Sequence, residues 1–366
     1  MKCMLPKKVT GVTALAGAGL MSVAGFGMVP AANAATQSAG SADWHVVDTI
    51  TSSLSHPSYL GAIVSTGKTS GYVFEGTVGS PYPAAFERTG ATTWKEVPFP
   101  GESGERVAMA SATSSADVWA FSSLANGGSR VFELVKGKWT AVKTFSLPIA
   151  SATVLSSTDV WVSGTADDSG AARLGVYHYN GHTWTRVSST LGNGYALSGQ
   201  DVWATTGVSA ENYNGHKWTA TSLASLLPKD KNVKLADGVI ALSATNVYVL
   251  ATDFTGGDQT AALYLLHYDG HHWSKVAGNS GWDTQSLTPD GKGGFYFTAF
   301  QAFDGAAGNS VLLHYYDGKL AVVPPFTVDS ATQAFRVTRI PGTTQQLVTG
   351  YTSSATKVYA EVFQGS

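Results

Sequence analysis

The stretch YHYNGHTWTRV, from Tyr177 to Val187, decides how this chain folds. It predicts two short β-strands, YHY and TWTRV, joined by a tight turn at Asn180-Gly181, because Asn-Gly supplies the two positive-φ residues of a type I′ hairpin turn. The phrase returns in five further copies, which read FERTGATTWKEV at 86–97, ELVKGKWTAV at 133–142, ENYNGHKWTAT at 211–221, LHYDGHHWSKV at 266–276 and LHYYDGKLAVV at 313–323. A phrase that recurs in this way describes an architecture before it describes a function.

A second phrase alternates with the first and occurs seven times. It reads TSGYVFEG at 69–76, SADVWAFSS at 115–123, STDVWVSG at 157–164, GQDVWATTG at 199–207, ATNVYVLAT at 244–252, GGFYFTAF at 293–300 and QQLVTGYT at 345–352. A spacing of about 42 to 52 residues with four short strands per copy predicts an all-β fold, a seven-bladed β-propeller, with six or eight blades as alternatives. Apolar runs such as VWA suit blades that are packed between two neighbours.

The two ends of the chain predict how the ring closes. One internal blade reads as strands 107–113, 117–122, 130–135 and 139–143, from the inside outwards. The last copy stops after KVYAEVF without its Trp-containing strand, and DWHVVD at 43–48 supplies such a strand at the other end. We therefore expect the N-terminal strand to complete the last blade, which protects sheet edges from aggregation.

The first 34 residues have the pattern of a secretory signal peptide. A lysine-rich start precedes an apolar run from Val9 to about Met28, and Ala32-Asn33-Ala34 matches an A-x-A cleavage site. We expect residues 35–42 to form a flexible tail and residues 43–366 to form a single propeller domain. This organisation predicts an extracellular protein, either free or associated with the cell wall.

The composition of the mature chain excludes several classes of partner. Residues 1–34 contain three lysines, no acidic residue and the only cysteine, so 20 Lys and Arg remain against 25 Asp and Glu. A secreted chain without disulfides must be held by a large core or by ring closure. A charged fraction of 13% with a mild negative balance argues against nucleic acid and acidic lipid. No second apolar run is long enough to span a membrane, and we expect no cofactor.

Signatures of catalysis are scarce in the sequence. HExxH and GxSxG motifs and a mature-chain cysteine nucleophile are absent, so we expect a protein that is not an enzyme. Histidines at shared repeat positions are expected to be structural, because equivalent positions in different blades do not converge. Five aspartates in three long connections are candidate binding-face residues: Asp167, Asp168, Asp253, Asp258 and Asp304. They could bind calcium or act as paired acid and base, although solvated loop acids are the simpler interpretation.

The outer strands carry tryptophans at one repeat position, Trp94, Trp139, Trp184, Trp218 and Trp273. We expect these rings to be buried between blades, although aromatic platforms can also stack on sugar rings.

The alternation of DVWA-type and HYNGHTW-type phrases over residues 43–366 resembles secreted propellers of actinobacteria, and is most similar to the family of dispase autolysis-inducing proteins of Streptomyces. The resemblance covers the mature chain but is one of repeat style, without a functional motif. It implies a non-enzymatic extracellular binding protein. Such a protein promotes autolysis of a secreted neutral metalloprotease and donates glutamines to a secreted transglutaminase.

A transglutaminase requires an extended and accessible glutamine, which tails and loop tips provide. Under the resemblance, the candidate cross-linking glutamines are Gln37, Gln301, Gln259 and Gln345, and the candidate amine donors are Lys229 and Lys231. Gln346 shares the predicted turn of Gln345, whereas Gln333 belongs to an inner strand and should be protected. A glycan- or cell-wall-binding propeller stays open as an alternative, as does, less favoured, a hydrolase or lyase that uses the loop aspartates, since propellers host binding and catalysis alike.

Overall fold

Seven four-stranded antiparallel sheets follow one another. One sequence repeat forms each of the first six, and the seventh takes its outermost strand from the other end of the chain. The computed structural model describes residues 44–50, 60–75, 82–166, 173–229, 233–253, 262–280, 282–301, 310–326, 332–353 and 358–366. They all belong to one compact unit, Ser41–Ser366. Among these described residues, no helix is both long and apolar enough to cross a membrane.

The strands run in each blade from the innermost to the outermost. Blades 1 to 3 contain β2 (Leu60–Gly67), β3 (Ser70–Glu75), β4 (Ala84–Arg88) and β5 (Trp94–Val97); β6 (Arg106–Ser114), β7 (Asp117–Ser123), β8 (Ser129–Val135) and β9 (Lys138–Phe145); β10 (Ser151–Ser156), β11 (Asp159–Ala166), β12 (Arg173–Tyr179) and β13 (Trp184–Ser188). Blades 4 and 5 contain β14 (Gly194–Ser198), β15 (Asp201–Thr206), β16 (Ser209–Tyr213) and β17 (Trp218–Ser222); β18 (Val233–Ser243), β19 (Asn246–Asp253), β20 (Ala262–Tyr268) and β21 (Trp273–Ser280). Blades 6 and 7 contain β22 (Trp282–Pro289), β23 (Phe295–Gln301), β24 (Ser310–Tyr316) and β25 (Lys319–Val322); β26 (Thr332–Arg339), β27 (Gln346–Ser353), β28 (Val358–Gly365) and β1 (His45–Thr49). A short 3-10 helix, Ala224–Leu226, connects blades 4 and 5.

The ring closes through the N-terminal strand, as the sequence predicted. The sheet order β1-β28-β27-β26 places β1 outermost in blade 7, with His45 opposite Gln364 and Thr49 opposite Glu361. The innermost strands contact their neighbours in sequence around the ring, and β26 contacts β2. The seven-bladed architecture is thereby confirmed.

The core consists of seven apolar clusters, one at each contact between adjacent blades. Strand β7 shows how one strand serves two of them. Val118 and Ala120 belong to the cluster with blade 1, whereas Trp119 and Phe121 belong to the cluster with blade 3, and all four side chains are fully buried. Side chains of a strand alternate between faces, so an uninterrupted apolar run is what a sheet buried on both faces requires.

The structure confirms the hairpin at Asn180-Gly181 and corrects its turn. The connection is four residues long, and only Gly181 of the pair has a positive φ, of 86°. The side chain of Asn180 accepts hydrogen bonds from the backbone N–H groups of His182 (3.1 Å) and Thr183 (2.9 Å). A Cβ at position 181 would lie 2.8 Å from the Thr158 side chain, so glycine permits close packing against the turn between β10 and β11.

Two-residue turns with positive φ at both positions occur instead at weaker copies of the phrase, Lys136-Gly137 and Asp317-Gly318. These turns have the geometry of type I′ hairpins. The dipeptide Asn-Gly therefore located the connection correctly, but the loop there has four residues rather than two.

Candidate functional site

In three blades an aspartate or asparagine, an aromatic ring and a histidine pack together near the turn that joins the first two strands. In blade 3, Asp159 accepts a hydrogen bond from the indole N–H of Trp161 at 2.8 Å and lies 2.9 Å from Nε2 of His178. The imidazole stacks on the Trp161 ring with centroids 4.3 Å apart. The aspartate before VW thus does more than end a turn, a role that the sequence analysis missed.

The same arrangement recurs with different residues in blades 5 and 6. His267 lies 2.9 Å from Asn246 and stacks on Tyr248, and His314 stacks on Tyr296. Burial lowers the pKa of His267 and of His314 below the ordinary histidine value, against the opposing effect of a carboxylate in each case, Asp269 for His267 and Asp290 for His314. His267 and His314 therefore contribute to ring packing and to the contacts between strands within their blades.

The carboxylate beside His314 comes from Asp290, in the connection between β22 and β23. Asp290 is 1% exposed, and its Oδ1 accepts hydrogen bonds from the backbone N–H groups of Lys292 (2.6 Å) and Gly294 (2.9 Å). Its Oδ2 lies 2.9 Å from Nε2 of His314. In blade 6 the carboxylate therefore comes from the turn between the first two strands, whereas in blade 3 it comes from Asp159, the first residue of the second strand.

Blade 4 departs from this pattern because Asn212 stands where blade 3 has His178. Asn212 pairs with Trp203 across the sheet, and its Nδ2 donates to Oδ1 of Asp201 at 2.8 Å. The amide is smaller than an imidazole and offers no second ring. In addition, the buried indole N–H of Trp203 has no hydrogen-bond partner among the described residues.

An open pocket of about 430 Å³ lies at this position, between blades 4 and 5. Blade 4 lines it with Asp201, Trp203, Asn212 and two threonines of β17, and blade 5 lines it with Tyr268 and Trp273 among others. Its volume lies within the range of roughly 300–1,000 Å³ that is usual for small-molecule sites, which combine apolar walls with a few polar groups. This pocket is the candidate binding site that the side chains create.

The tryptophans of the outer strands vary in exposure. Trp139 is buried at 7% exposure, while Trp94, Trp184, Trp218 and Trp273 are half-buried. The predicted burial is therefore complete for Trp139 and partial for the other four, whose rings keep some accessible surface.

Of the five predicted binding-face aspartates, the described residues include Asp253 alone. Asp253 is the last residue of β19 and half-buried, so its assignment to a long loop was wrong: the strand extends further than the turn-like sequence suggested. Burial raises the pKa of Tyr264, and the negative charge of Asp253 makes a smaller contribution to that increase. The remaining candidates lie outside the described residues: Asp167, Asp168, Asp258 and Asp304.

The structure describes three of the six predicted cross-linking residues. Gln345 is exposed on the turn before β27, as expected, and Lys229 is exposed after the 3-10 helix. Gln301 is the last residue of β23 and not a loop residue, and Gln346 begins β27 and is fully buried rather than in the turn. Three other candidates lie outside the described residues: Gln37, Gln259 and Lys231.

No family model matches the sequence, and no curated protein is detectably similar to it. YCF48 from Cyanidioschyzon merolae superposes with a TM-score of 0.53 at 13% identity, covering 88% of this chain and 98% of that one. YCF48 bound to D1 peptide gives 0.50 at 12% identity, with coverage of 88% and 96%.

A third solved structure gives a higher TM-score over part of a longer protein. The extracellular domain of the putative one-component system BT4673 from B. thetaiotaomicron gives 0.56 at 10% identity, covering 87% of this chain and 40% of that one. At such identities the likeness concerns the fold alone, and by fold this chain is a seven-bladed β-propeller.

Proposed function

We propose that this protein is a non-enzymatic, secreted binding propeller that acts on an extracellular metalloprotease, promotes its autolysis and donates glutamines to a secreted transglutaminase. The repeat phrases that resemble the family described above support this function. The similar fold of YCF48 bound to D1 peptide supports protein binding in general, since it is a propeller with a peptide ligand. The histidine–carboxylate pairs of blades 3 and 6 support a role without catalysis, because both imidazoles stack on a neighbouring aromatic ring of the same blade.

The exposed side chain of Gln345 is the observation that carries the transglutaminase part of the proposal. Gln345 ends the turn between β26 and β27, and its Oε1 accepts a hydrogen bond from Gln364 Nε2 at 3.0 Å, at the surface. An exposed hydrogen bond of this kind contributes only about 1 kcal/mol, so the side chain can leave it to enter an active site. Gln333 and Gln346 on the flanking strands are buried at 8% and 0% exposure.

The protease part of the proposal is tested by mixing the purified mature protein with a neutral metalloprotease of the dispase type. We expect intact protease to disappear faster than in the presence of an unrelated propeller at the same concentration. The loss of protease is followed by gel densitometry over time. An unchanged decay would contradict the protease role.

The transglutaminase part is tested with a biotinylated amine and peptide mapping. We expect label on Gln345 and on the tail residue Gln37, and we expect the Gln345→Asn variant to lose the label on its own peptide only. Gln333→Asn serves as the matched control, because this glutamine is buried in the adjacent strand and should not be labelled in either form. Labelling that omits both Gln345 and Gln37 would remove these assignments.

Secretion is part of the same proposal and rests on the pattern of residues 1–34. We expect the exported protein to begin at Ala35, directly after the A-x-A site. N-terminal sequencing of protein from the culture medium tests this, and an intact Met1 would contradict it.

A further inference from the structure

One wall of the pocket between blades 4 and 5 consists of three aromatic rings that pack against one another. The ring centroids of Trp203 and Tyr268 are 5.3 Å apart, those of Trp203 and Trp273 are 5.9 Å apart, and those of Tyr268 and Trp273 are 5.4 Å apart. Rings this close touch one another, so no cation fits between them as in an aromatic cage. Tyr268 and Trp273 are half-buried, and they offer the pocket a platform of ring surface.

Polar groups of blade 4 border this platform. The bond between Asp201 and Asn212 uses one carboxylate oxygen and one amide hydrogen. The second carboxylate oxygen and the amide carbonyl are therefore groups that can accept hydrogen bonds. The hydroxyls of Thr219 and Thr221, both exposed on β17, add donors and acceptors.

The pocket lies at a repeat position whose residue varies: Glu87 in blade 1, Glu133 in blade 2 and Asn212 in blade 4 stand where blades 3, 5 and 6 have histidine. In blade 3 the imidazole of His178 lies over Trp161 at 4.3 Å, and blades 5 and 6 place histidines over Tyr248 and Tyr296 in the same way. In blade 4 the shorter Asn212 leaves that space open. A histidine in place of Asn212 would bring a larger side chain with a ring to this wall of the pocket.

The lining restricts the chemistry of the ligand. The nine lining residues include one acid, Asp201, and no lysine, arginine or histidine, so an anionic ligand would meet a carboxylate without a compensating cation. Aromatic surface beside closely spaced acceptors and hydroxyls suits a molecule with an apolar face and several hydroxyl groups on its rim. A pyranose ring has both properties.

We propose that this pocket binds a neutral pyranose saccharide, with one face of the sugar ring on Tyr268 and Trp273 and its hydroxyls bonded to Asp201, Asn212 and Thr219. The site goes beyond the protein-binding function proposed above and does not depend on it. A pocket variant can therefore lose sugar binding while its effect on the protease stays unchanged. Equally, the protein can bind sugar while it has no effect on the protease.

The test is isothermal titration calorimetry of the mature protein with methyl glucoside, methyl galactoside, methyl mannoside and N-acetylglucosamine. Glucuronate and choline are the charged probes. Asn212→His restores the residue of blades 3, 5 and 6 and should fill the pocket. Thr219→Tyr also fills it from an exposed strand position that tolerates a β-forming side chain. Thr185→Tyr is the matched control, since Thr185 pairs with His178 as Thr219 pairs with Asn212.

We expect at least one neutral sugar to bind the wild-type protein, and we expect both filling variants to weaken binding by about tenfold or more, because they remove ring contact and hydrogen bonds together. Thr185→Tyr should bind as the wild type does. Failure of all four neutral sugars to bind overturns the proposal. Equal binding by wild type and Thr219→Tyr also overturns it, as does binding of glucuronate or choline alone.

Discussion

Closure of the ring by the N-terminal strand can be tested at Ile50. Its backbone N–H donates to the carbonyl of Ala360 at 3.0 Å, and its side chain is 6% exposed in the cluster between blades 7 and 1. Ile50→Ala removes three buried carbon atoms, which corresponds to about 2.4 kcal/mol at about 0.8 kcal/mol each. A residual cavity adds to this, so we expect a loss of about 3 kcal/mol, inside the usual range of about 2–5 kcal/mol.

The loss converts into a measurable melting shift. The Ser41–Ser366 unit has roughly 330 residues, and an unfolding entropy of about 2.1 cal/mol/K per residue turns about 3 kcal/mol into a Tm decrease of about 4 °C. Differential scanning calorimetry measures it. Val46→Ala is the control, because Val46 lies on β1 but is 44% exposed, and its Tm should change by less than about 1 °C. Equal shifts for the two variants would refute the reasoning, since the burial of Ile50 between blades 7 and 1 would then add nothing to stability.

Two further predictions concern the polar contacts between strands. Burial lowers the folded-state pKa of His314 below the ordinary histidine value of about 6.5. The folded state therefore binds fewer protons than the unfolded state below about pH 6.5, and the contribution to stability that is complete above that pH falls on acidification. The loss of Tm between pH 7 and pH 6 should therefore be smaller in His314→Phe than in the wild type; an equal or larger loss would contradict this. Asp117→Ala should lower the free energy of unfolding by about 1–3 kcal/mol, because the buried Trp119 indole N–H loses its acceptor at 2.8 Å. Asp201→Ala should cost less, since Trp203 makes no such bond among the described residues, and urea titrations of the two variants would reveal an inverted order.

The candidate site was harder to predict than the fold. The sequence placed Gln345 on an exposed turn correctly, because turn residues and strand residues differ in local pattern. It placed Asp253 and Gln301 in loops, although the structure extends β19 and β23 through them. Strand ends depend on pairing with the next strand, and pairing partners are distant in sequence.

The sequence by itself determined the seven repeats, their four strands and the closing role of residues near Val46. These features follow from periodic apolar patterns and turn residues, which act over a few positions and are readable without coordinates. Only the tertiary structure decided what Asn212 does. In the sequence it is one variant of a repeat position. In the folded ring it pairs with Trp203 across the sheet and lines an open pocket together with Tyr268 and Trp273 of the next blade. Such a site depends on volumes contributed by two blades at once, and a local sequence pattern contains no information about the space between them.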